Sequence, residues 1–324
     1  MILDGLTVLL TGGTGSFGHA FTKTILKGKP RKVIIFSRDE LKQSEMRQEF
    51  NDDRLLFFLG DVRDRDRLYR SFDGVDVVIH AAALKQVPAL EYSPQEAIKT
   101  NILGASNIID ASIDMGVKKV IGISTDKAVS PLNIYGATKL AMEKLLIAGN
   151  SYSGKHPTRF SLVRYGNVAG SRGSVIPFFQ KIKDQGYIPI TDRRMTRFWI
   201  TLDEGVQLVL KALEEMHGGE IFIPKIPSVR VIDIAEAIAP GVRHEIVGIR
   251  PGEKLHEVLV SESESPMTFA YKDHYQIHPS FPFWTKKKLN GGKKVKDGFR
   301  YDSYSNDKWI QIPQIKEFLC GLNA

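Results

Sequence analysis

The chain has 324 residues, of which 42% are hydrophobic, and this composition argues for a large buried core and against disorder. Its one cysteine, Cys320, cannot form an intramolecular disulfide, and no spacing of cysteine and histidine suggests a zinc site, so we expect no bound metal and a reducing, cytoplasmic location. The sequence has no run of about 18 apolar residues, roughly the minimum for a membrane-spanning helix, and its start lacks the basic residues of a signal peptide.

The net charge of +8 could attract nucleic acid, an anionic membrane surface or a small phosphorylated substrate. Much of the excess comes from one lysine cluster, formed by Lys286, Lys287, Lys288, Lys293, Lys294 and Lys296. No nucleic-acid-binding motif accompanies the cluster. We therefore expect a solvated surface loop here, and neither nucleic acid nor a membrane as a partner.

Short β-branched runs alternate with longer amphipathic stretches in the first half of the chain. Strands are predicted at 7–10, 32–36, 55–59, 75–80, 119–123 and 159–164, with helical segments between them. This alternation is typical of a parallel sheet covered by helices on both faces. The predicted fold class is α/β, with a doubly wound Rossmann sheet.

After the sixth strand the pattern becomes irregular. Helices are predicted at 175–185, 203–216 and 231–239, and a strand at 220–223. These elements predict a smaller C-terminal substrate-binding lobe that is interleaved with late Rossmann elements. We assign 1–165 with 200–228 to the Rossmann domain, and 166–199 with 229–324 to the substrate lobe.

A glycine-rich turn follows the first predicted strand and opens a helix, which is the setting that a dinucleotide-binding turn requires. Its glycines allow a tight turn and a close approach of the backbone to a pyrophosphate, whose charge then lies at the positive end of the helix. The alternative is an ordinary loop between a strand and a helix. The predicted cofactor-binding residues here are Gly12, Gly13, Thr14, Gly15, Ser16, Phe17 and Gly18.

The end of the second strand bears on the choice between NAD and NADP. NAD enzymes of this architecture usually place an acid there to bind the ribose 2′-hydroxyl. This chain has Ser37 at the tip, followed by Arg38, whose planar guanidinium suits a 2′-phosphate. NADP is therefore favoured, with Lys42 as a further contact. Asp39 could still turn inward and keeps NAD as the alternative.

Two further residues are predicted beside the adenine, at the end of the third strand. They are Asp61 and Val62. Asp61 could instead cap the N-terminus of the helix that follows.

A tyrosine and a lysine four residues apart form the candidate catalytic pair. Tyr135 and Lys139 would share one face of a helix. A neighbouring ammonium can lower the pKa of a tyrosine from its ordinary value of about 10, which would make Tyr135 a better base. The alternative is a surface pair, but Thr125, Asp126 and Lys127 follow the preceding strand, where the crevice of such a fold lies.

Taken together, these motifs resemble the extended short-chain dehydrogenase/reductase family, whose members modify nucleotide sugars. The resemblance rests on the glycine turn, Asp61-Val62, His80-Ala81-Ala82-Ala83, Ser124-Thr125 and Tyr135 with Lys139, and it covers about the first 200 residues. It implies that Thr125 and Tyr135 act on a sugar hydroxyl while a hydride passes to nicotinamide. It also implies that cofactor contacts come from Ala81, Ala82, Ala83, Lys85, Tyr135, Lys139 and Val168.

A narrower resemblance comes from Thr125-Asp126-Lys127. It is similar to members of the family that remove water from UDP-N-acetylglucosamine, and Tyr135 is similar to those that invert carbon 5. The segments at 37–40, 83–88, 223–227 and 250–254 extend this likeness over most of the chain. It implies a lyase with bound NADP at the first step of pseudaminic acid synthesis for flagellin glycosylation, and a homo-oligomer such as a hexamer.

The implied chemistry gives each catalytic residue a role. With Tyr135 as base, oxidation at carbon 4 acidifies the hydrogen on carbon 5, which Lys127 removes. Lys127 must then be neutral part of the time, which burial and the charge of Lys139 could favour. A protonated Asp126 donates to the departing 6-hydroxyl. The alternative for Asp126 and Lys127 is an exposed, salt-bridged turn.

The substrate-binding prediction includes residues outside this group. Asn167 follows the sixth strand, and Lys85 could reach the sugar or the diphosphate. Arg197 and Arg250, the latter with Glu253, are candidates in loop-like settings for neutralising the UDP pyrophosphate, and surface arginines are the alternative. The full predicted set is Lys85, Asp126, Lys127, Asn167, Arg197, Arg250 and Glu253.

Two other functions compete with dehydration. One is a UDP-sugar 4-epimerase, or a dehydratase with added epimerase activity, which the Asp126-Lys127 pair argues against. The other is a noncatalytic NADP-binding regulator, which would not need Tyr135, Lys139 and Asp126 together.

Overall fold

The computed structural model describes residues 1–171, 173–282, 284 and 291–322. Within these residues the first strands are β1 (Thr7–Thr11), β2 (Lys32–Ser37), β3 (Leu55–Leu59), β4 (Val77–His80), β5 (Lys119–Thr125), β6 (Arg159–Tyr165), β7 (Asn167–Val168), β8 (Tyr187–Ile190) and β9 (Thr196–Ile200). The later strands are β10 (Ile221–Pro224), β11 (Ser228–Arg230), β12 (Arg243–Ile246), β13 (Val258–Val260), β14 (Thr268–Ala270), β15 (His274–Ile277), β16 (Lys293–Lys294) and β17 (Tyr301–Asp302).

The α-helices are α1 (Ser16–Ile25), α2 (Glu40–Phe50), α3 (Arg65–Ser71), α4 (Val87–Tyr92), α5 (Pro94–Ala97), α6 (Gly104–Asp114), α7 (Ile134–Tyr152), α8 (Val175–Ile182), α9 (Leu202–Glu215), α10 (Val231–Ile238) and α11 (Ile312–Leu322). A π-helix, Ile98–Leu103, joins α5 to α6. Shorter 3₁₀ turns lie at Asp126–Ala128, Lys183–Gln185 and Glu262–Met267. In the described part of the chain, no helix is both long and apolar enough to span a membrane.

Ten of the described strands form one large sheet, in the order β16-β14-β15-β10-β6-β5-β4-β1-β2-β3. The pairs from β3 through to β10 are parallel, and β15, β14 and β16 continue the sheet by antiparallel pairing. All five residues of β1 are buried, as expected for a parallel strand covered on both faces. The predicted α/β Rossmann fold is confirmed.

The order of the strands in the sheet reverses at β1, since β2 and β3 are added on one side of it and β4, β5 and β6 on the other. Thr11 at the end of β1 pairs with Phe36 of β2 and with His80 of β4. A crevice opens where the crossovers on the two sides of such a strand diverge, at the carboxyl ends of the strands. This edge is therefore where the fold offers a binding site.

Two hydrophobic clusters form the core. The larger one surrounds the large sheet, and the smaller one packs α8, α10 and α11 together through residues such as Phe179, Ile234 and Ile315. The predicted division into two lobes stays a prediction. However, β14, β15 and β16 belong to the large sheet, although they fall in the range 229–324.

The lysine cluster is only partly described. Lys286, Lys287 and Lys288 lie outside the described residues. Lys293 and Lys294 form the exposed strand β16 at the edge of the large sheet.

Candidate active site

A cleft of about 960 Å³ runs along the carboxyl ends of the parallel strands. It reaches from the end of β2, past β1 and β4, to the ends of β5 and β6. The cleft is lined by all the predicted cofactor residues except Gly13, namely Gly12, Thr14, Gly15, Ser16, Phe17, Gly18, Ser37, Arg38, Asp39, Lys42, Asp61, Val62, Ala81, Ala82, Ala83, Lys85, Tyr135, Lys139 and Val168.

The glycine turn fits a pyrophosphate at the centre of this cleft. Gly12 has φ +66°, and a Cβ there would lie 2.9 Å from the backbone of Ala82. A Cβ on Gly18 would lie 2.0 Å from the carbonyl oxygen of Gly13. Helix α1 begins at Ser16 with neither a side-chain cap nor an acid in its first turn. Its amide groups and positive end are therefore available to an anion.

The segment after β4 is anchored to β1 by a buried histidine. Nδ1 of His80 lies 2.8 Å from the hydroxyl of Thr11, which also accepts a hydrogen bond from the amide of Ala82. Burial, with a smaller effect of the Lys139 charge, lowers the pKa of His80 to about 3, so the ring is neutral. This chain of contacts holds 81–83 against the glycine turn.

Two cations, Arg38 and Lys42, and two carboxylates, Asp39 and Asp61, lie together at one end of the cleft. The Asp39 carboxylate caps α2 by accepting from the amide of Lys42, and it also pairs with the Lys42 ammonium at 2.5 Å. Both oxygens of the Asp39 carboxylate are therefore bonded to Lys42 of α2. Arg38 is half exposed, and its Nη1 lies 3.4 Å from Asp61.

Asp61 is not a helix cap, so that alternative was wrong. The cap of α3 is Asp64, whose side chain accepts from the amide of Arg67. Asp61 instead accepts from the amide and guanidinium of Arg63, which leaves its carboxylate at the wall of the cleft.

Asp126 and Lys127 lie on a 3₁₀ turn directly after β5. Asp126 is fully buried, and its Oδ1 accepts from the Thr125 hydroxyl at 2.9 Å and from Nζ of Lys127 at 3.0 Å. Burial, with the nearby Glu257 charge, raises the pKa of Asp126. The pair is salt-bridged but not an exposed turn, and Lys127 lines the cleft.

The expectation that Lys127 is partly neutral was wrong for this structure. Nζ of Lys127 also lies 3.4 Å from Oε1 of Glu257. Burial alone would lower the pKa of Lys127, but the charges of Asp126 and Glu257 outweigh it and raise the pKa. Lys127 is therefore an ammonium at rest.

Tyr135 and Lys139 share one face of α7 at the cleft, as their spacing predicts. Nζ of Lys139 donates to the carbonyl of Ile123 at 2.5 Å, and burial lowers the pKa of Lys139 to about 8. The expected lowering of the Tyr135 pKa is not found. Burial raises it, and the opposing effects of the Lys127 charge and a hydrogen bond with Thr125 are smaller.

The predicted substrate residues are divided between the cleft and its surroundings. Asn167 of β7 and Lys85 line the cleft, and partial burial followed by the Lys127 charge lowers the pKa of Lys85. Arg197 is not in a loop, because it lies within β9. There it donates to the carbonyls of Thr196 and Leu255, with Nε 3.8 Å from Glu257.

Arg250 and Glu253 do not line the cleft. Arg250 is exposed, and its Nη1 lies 3.8 Å from Oε1 of Glu253. The structure thus brings all the predicted catalytic residues together, but Arg250 and Glu253 lie outside that group.

The sequence reasoning missed two residues that support the site. Glu257 is buried against Lys127. Asn101, within the π-helix, bonds both backbone groups of Leu84 and donates to Thr138 on α7. The irregular helix could not be predicted from periodicity. Glu257 follows the 250–254 segment that the resemblance had marked, which was the available signal.

The fold and the site define a Rossmann protein of the extended short-chain dehydrogenase/reductase type. Residues 8–279 match the family described as polysaccharide biosynthesis protein, and the chain belongs to that family.

The chain is similar to three known proteins over nearly its whole length. A Campylobacter jejuni protein named UDP-N-acetylglucosamine 4,6-dehydratase (inverting) is 52% identical over 98% of each chain. A Rickettsia conorii protein named UDP-glucose 4-epimerase is 43% identical over 98% of this chain and 96% of its own. The X-ray structure of Pen from Bacillus thuringiensis superimposes with a TM-score of 0.90 at 36% identity, covering 99% of this chain and 100% of that one.

Proposed function

We propose that the protein is an NADP-dependent UDP-N-acetylglucosamine 4,6-dehydratase that inverts carbon 5. The observation that carries the proposal is the fully buried Asp126, which pairs with Lys127 at the point where Lys127 and Tyr135 line the cleft. The 52% identity to the Campylobacter jejuni protein of that name supports it. By the same resemblance, we propose a cytoplasmic homo-oligomer at the first step of pseudaminic acid synthesis.

The nicotinamide, when bound, supplies a reversible hydride acceptor. Tyr135 must first lose its phenol proton to water in the cleft, and it then takes the proton of the sugar 4-hydroxyl. The hydroxyl of Thr125 is within hydrogen-bonding reach of Tyr135.

The resulting ketone acidifies the hydrogen on carbon 5. Lys127, which lines the cleft, first loses its own proton to water there and then takes the proton of carbon 5. Asp126, whose pKa is raised by burial, donates its proton to the 6-hydroxyl, which departs as water. The hydride removed from carbon 4 returns to carbon 6, and carbon 5 regains a proton on the opposite face, which inverts it. Water is lost with no net oxidation, so the overall reaction is a lyase reaction.

The second candidate is a UDP-sugar 4-epimerase, which the 43% identical Rickettsia conorii protein favours. Epimerisation at carbon 4 needs a base and a hydride acceptor but no acid for a leaving hydroxyl. The buried Asp126 and its partner Lys127 would then have no chemical task, although burying the Asp126 carboxyl costs desolvation free energy.

Incubation with UDP-N-acetylglucosamine in deuterated water, followed by NMR, tests the proposal. We expect a 4-keto-6-deoxy product with an inverted, deuterated carbon 5. Formation of UDP-N-acetylgalactosamine would support the epimerase instead. Unchanged substrate, or retention at carbon 5, would contradict inverting dehydration.

We further propose that Arg38 selects NADP by binding the 2′-phosphate. Arg38 lines the cleft, and Asp39 is engaged by Lys42. Loss of one charge-assisted hydrogen-bonding group costs about 1.5–3 kcal/mol, so Arg38→Ala should weaken NADP binding roughly 10- to 100-fold and leave NAD binding unchanged. Titration calorimetry with both dinucleotides measures the ratio. Equal weakening of NAD would argue against a 2′-phosphate contact, and Arg47→Ala on the same segment serves as the control.

A further inference from the structure

Two buried carboxylates share one ammonium beside the cleft. Asp126 lies 3.0 Å from Nζ of Lys127 through Oδ1, and Glu257 lies 3.4 Å from it through Oε1. Asp126 is fully buried and Glu257 is 2% exposed. The second oxygens, Oδ2 of Asp126 and Oε2 of Glu257, are buried without a hydrogen-bond partner among the described residues.

The surrounding charges differ between the two carboxylates. Glu257 faces Lys127, Arg197 and Lys254, and these three cations outweigh burial and lower its pKa. Within the part of the chain that the structure describes, Asp126 lies near Lys127 and Lys254 but not near an arginine, and burial, followed by the like charge of Glu257, raises its pKa. Two close carboxylates do not ionise equally, and the proton goes to the one with fewer compensating cations.

The backbone fixes Glu257 in this place. The amide of Glu257 donates to the Ser303 hydroxyl at 2.9 Å, and the carbonyl of Glu257 accepts from the amide of Ser303. The segment before β13 is thereby held to the segment after β17. The fold therefore fixes the backbone at Glu257, from which the carboxylate reaches Lys127.

We propose that Glu257 is a positioning residue that keeps the acid of the reaction protonated. Glu257 is the ionised partner of the Lys127 ammonium that the two carboxylates share. Asp126 therefore keeps its proton until the 6-hydroxyl departs. This inference rests on the proposed dehydratase function.

The test compares Glu257→Gln, which removes the charge at nearly constant volume, with Glu257→Asp, which keeps it. For Glu257→Gln we expect kcat to fall roughly 10²-fold, in line with the loss of a general acid, and KM for UDP-N-acetylglucosamine to change less than about twofold. Glu257→Asp should recover part of the lost kcat. A rise in KM with kcat unchanged would overturn the proposal, because it would show that Glu257 acts through Arg197 on substrate binding.

Glu220→Gln is the matched control for a purely structural role. Glu220 is equally buried, but it accepts from the Ser161 hydroxyl and from the amides of His217 and Gly218, away from the carboxyl ends of the strands. We expect this variant to lose stability without a fall in kcat. A fall equal to that of Glu257→Gln would overturn the proposal.

A titration without substrate tests the position of the proton directly. In protein labelled with ¹³C at the aspartate carboxyls, Asp126→Asn identifies the Asp126 resonance. We expect the protonated form at neutral pH in the wild type and the ionised form in Glu257→Gln. An ionised Asp126 in the wild type, or an unchanged titration in the variant, would overturn the inference. Failure of the wild type to dehydrate the sugar would instead overturn the proposed function and would leave this titration unaffected.

Discussion

Replacing Lys127 by alanine should abolish dehydration while the cofactor stays bound. Lys127 is the group that reaches both Asp126 and Glu257, so its loss removes the proposed base and the cation that the carboxylates share. Loss of a general base typically costs 10²- to 10⁴-fold, and we expect kcat to fall at least roughly 10³-fold. The product assay by NMR measures the fall, and titration of NADP measures binding.

Two variants separate chemistry from folding in this experiment. Lys144→Ala removes an exposed lysine on α7 and should leave both readouts unchanged. Lys127→Met keeps more of the side-chain volume and should lose activity to the same extent. If either Lys127 variant loses NADP binding together with activity, Lys127 has a structural role and the proposed chemistry is contradicted.

The part of the fold that local sequence determines was predictable. The apolar runs of β1 to β6 and the glycine turn are continuous in sequence, and parallel strands bring their carboxyl ends to one edge. Thr125 and Tyr135 could therefore be placed in one cleft before the structure was known. The resemblance to the extended short-chain dehydrogenase/reductase family is likewise confirmed by the match over 8–279.

Charge states in the site could not be predicted, because they depend on contacts between distant segments. Lys127 is held as an ammonium by Asp126, its neighbour in sequence, together with Glu257, which comes from the segment before β13. Nothing in the sequence around Lys127 indicates its contact with Glu257. The setting of Arg197 was missed for a similar reason, since β9 forms only through its pairing with β7 and β11.

Replacing Arg164 by methionine should destabilise the whole protein more than any other single change considered. Arg164 is 1% exposed and makes paired hydrogen bonds with Glu143 of α7 and with Glu264, and it also donates to the carbonyl of Leu259. Removing one partner of a buried ion pair costs about 3–5 kcal/mol, because the charge left behind has no compensation. The free energy of unfolding in urea measures the loss.

Arg194→Met is the matched control, because Arg194 pairs with Asp192 at the surface with 71% of its side chain exposed. A surface pair contributes about 0–1 kcal/mol, so this variant should unfold almost as the wild type does. Equal unfolding free energies for the two arginine variants would show that the buried network does not stabilise the fold.

The cost of Arg164→Met should also depend on pH. Burial alone would raise the pKa of Glu264, but Arg164 outweighs it and lowers the pKa below its ordinary value. A carboxyl with a lowered pKa in the folded state contributes stability above its unfolded pKa and loses it as the pH falls through the folded value. The difference between wild type and variant should therefore be full near neutral pH and shrink in acid. A difference that stayed constant down to acidic pH would assign the loss to packing of the arginine side chain and not to its charge.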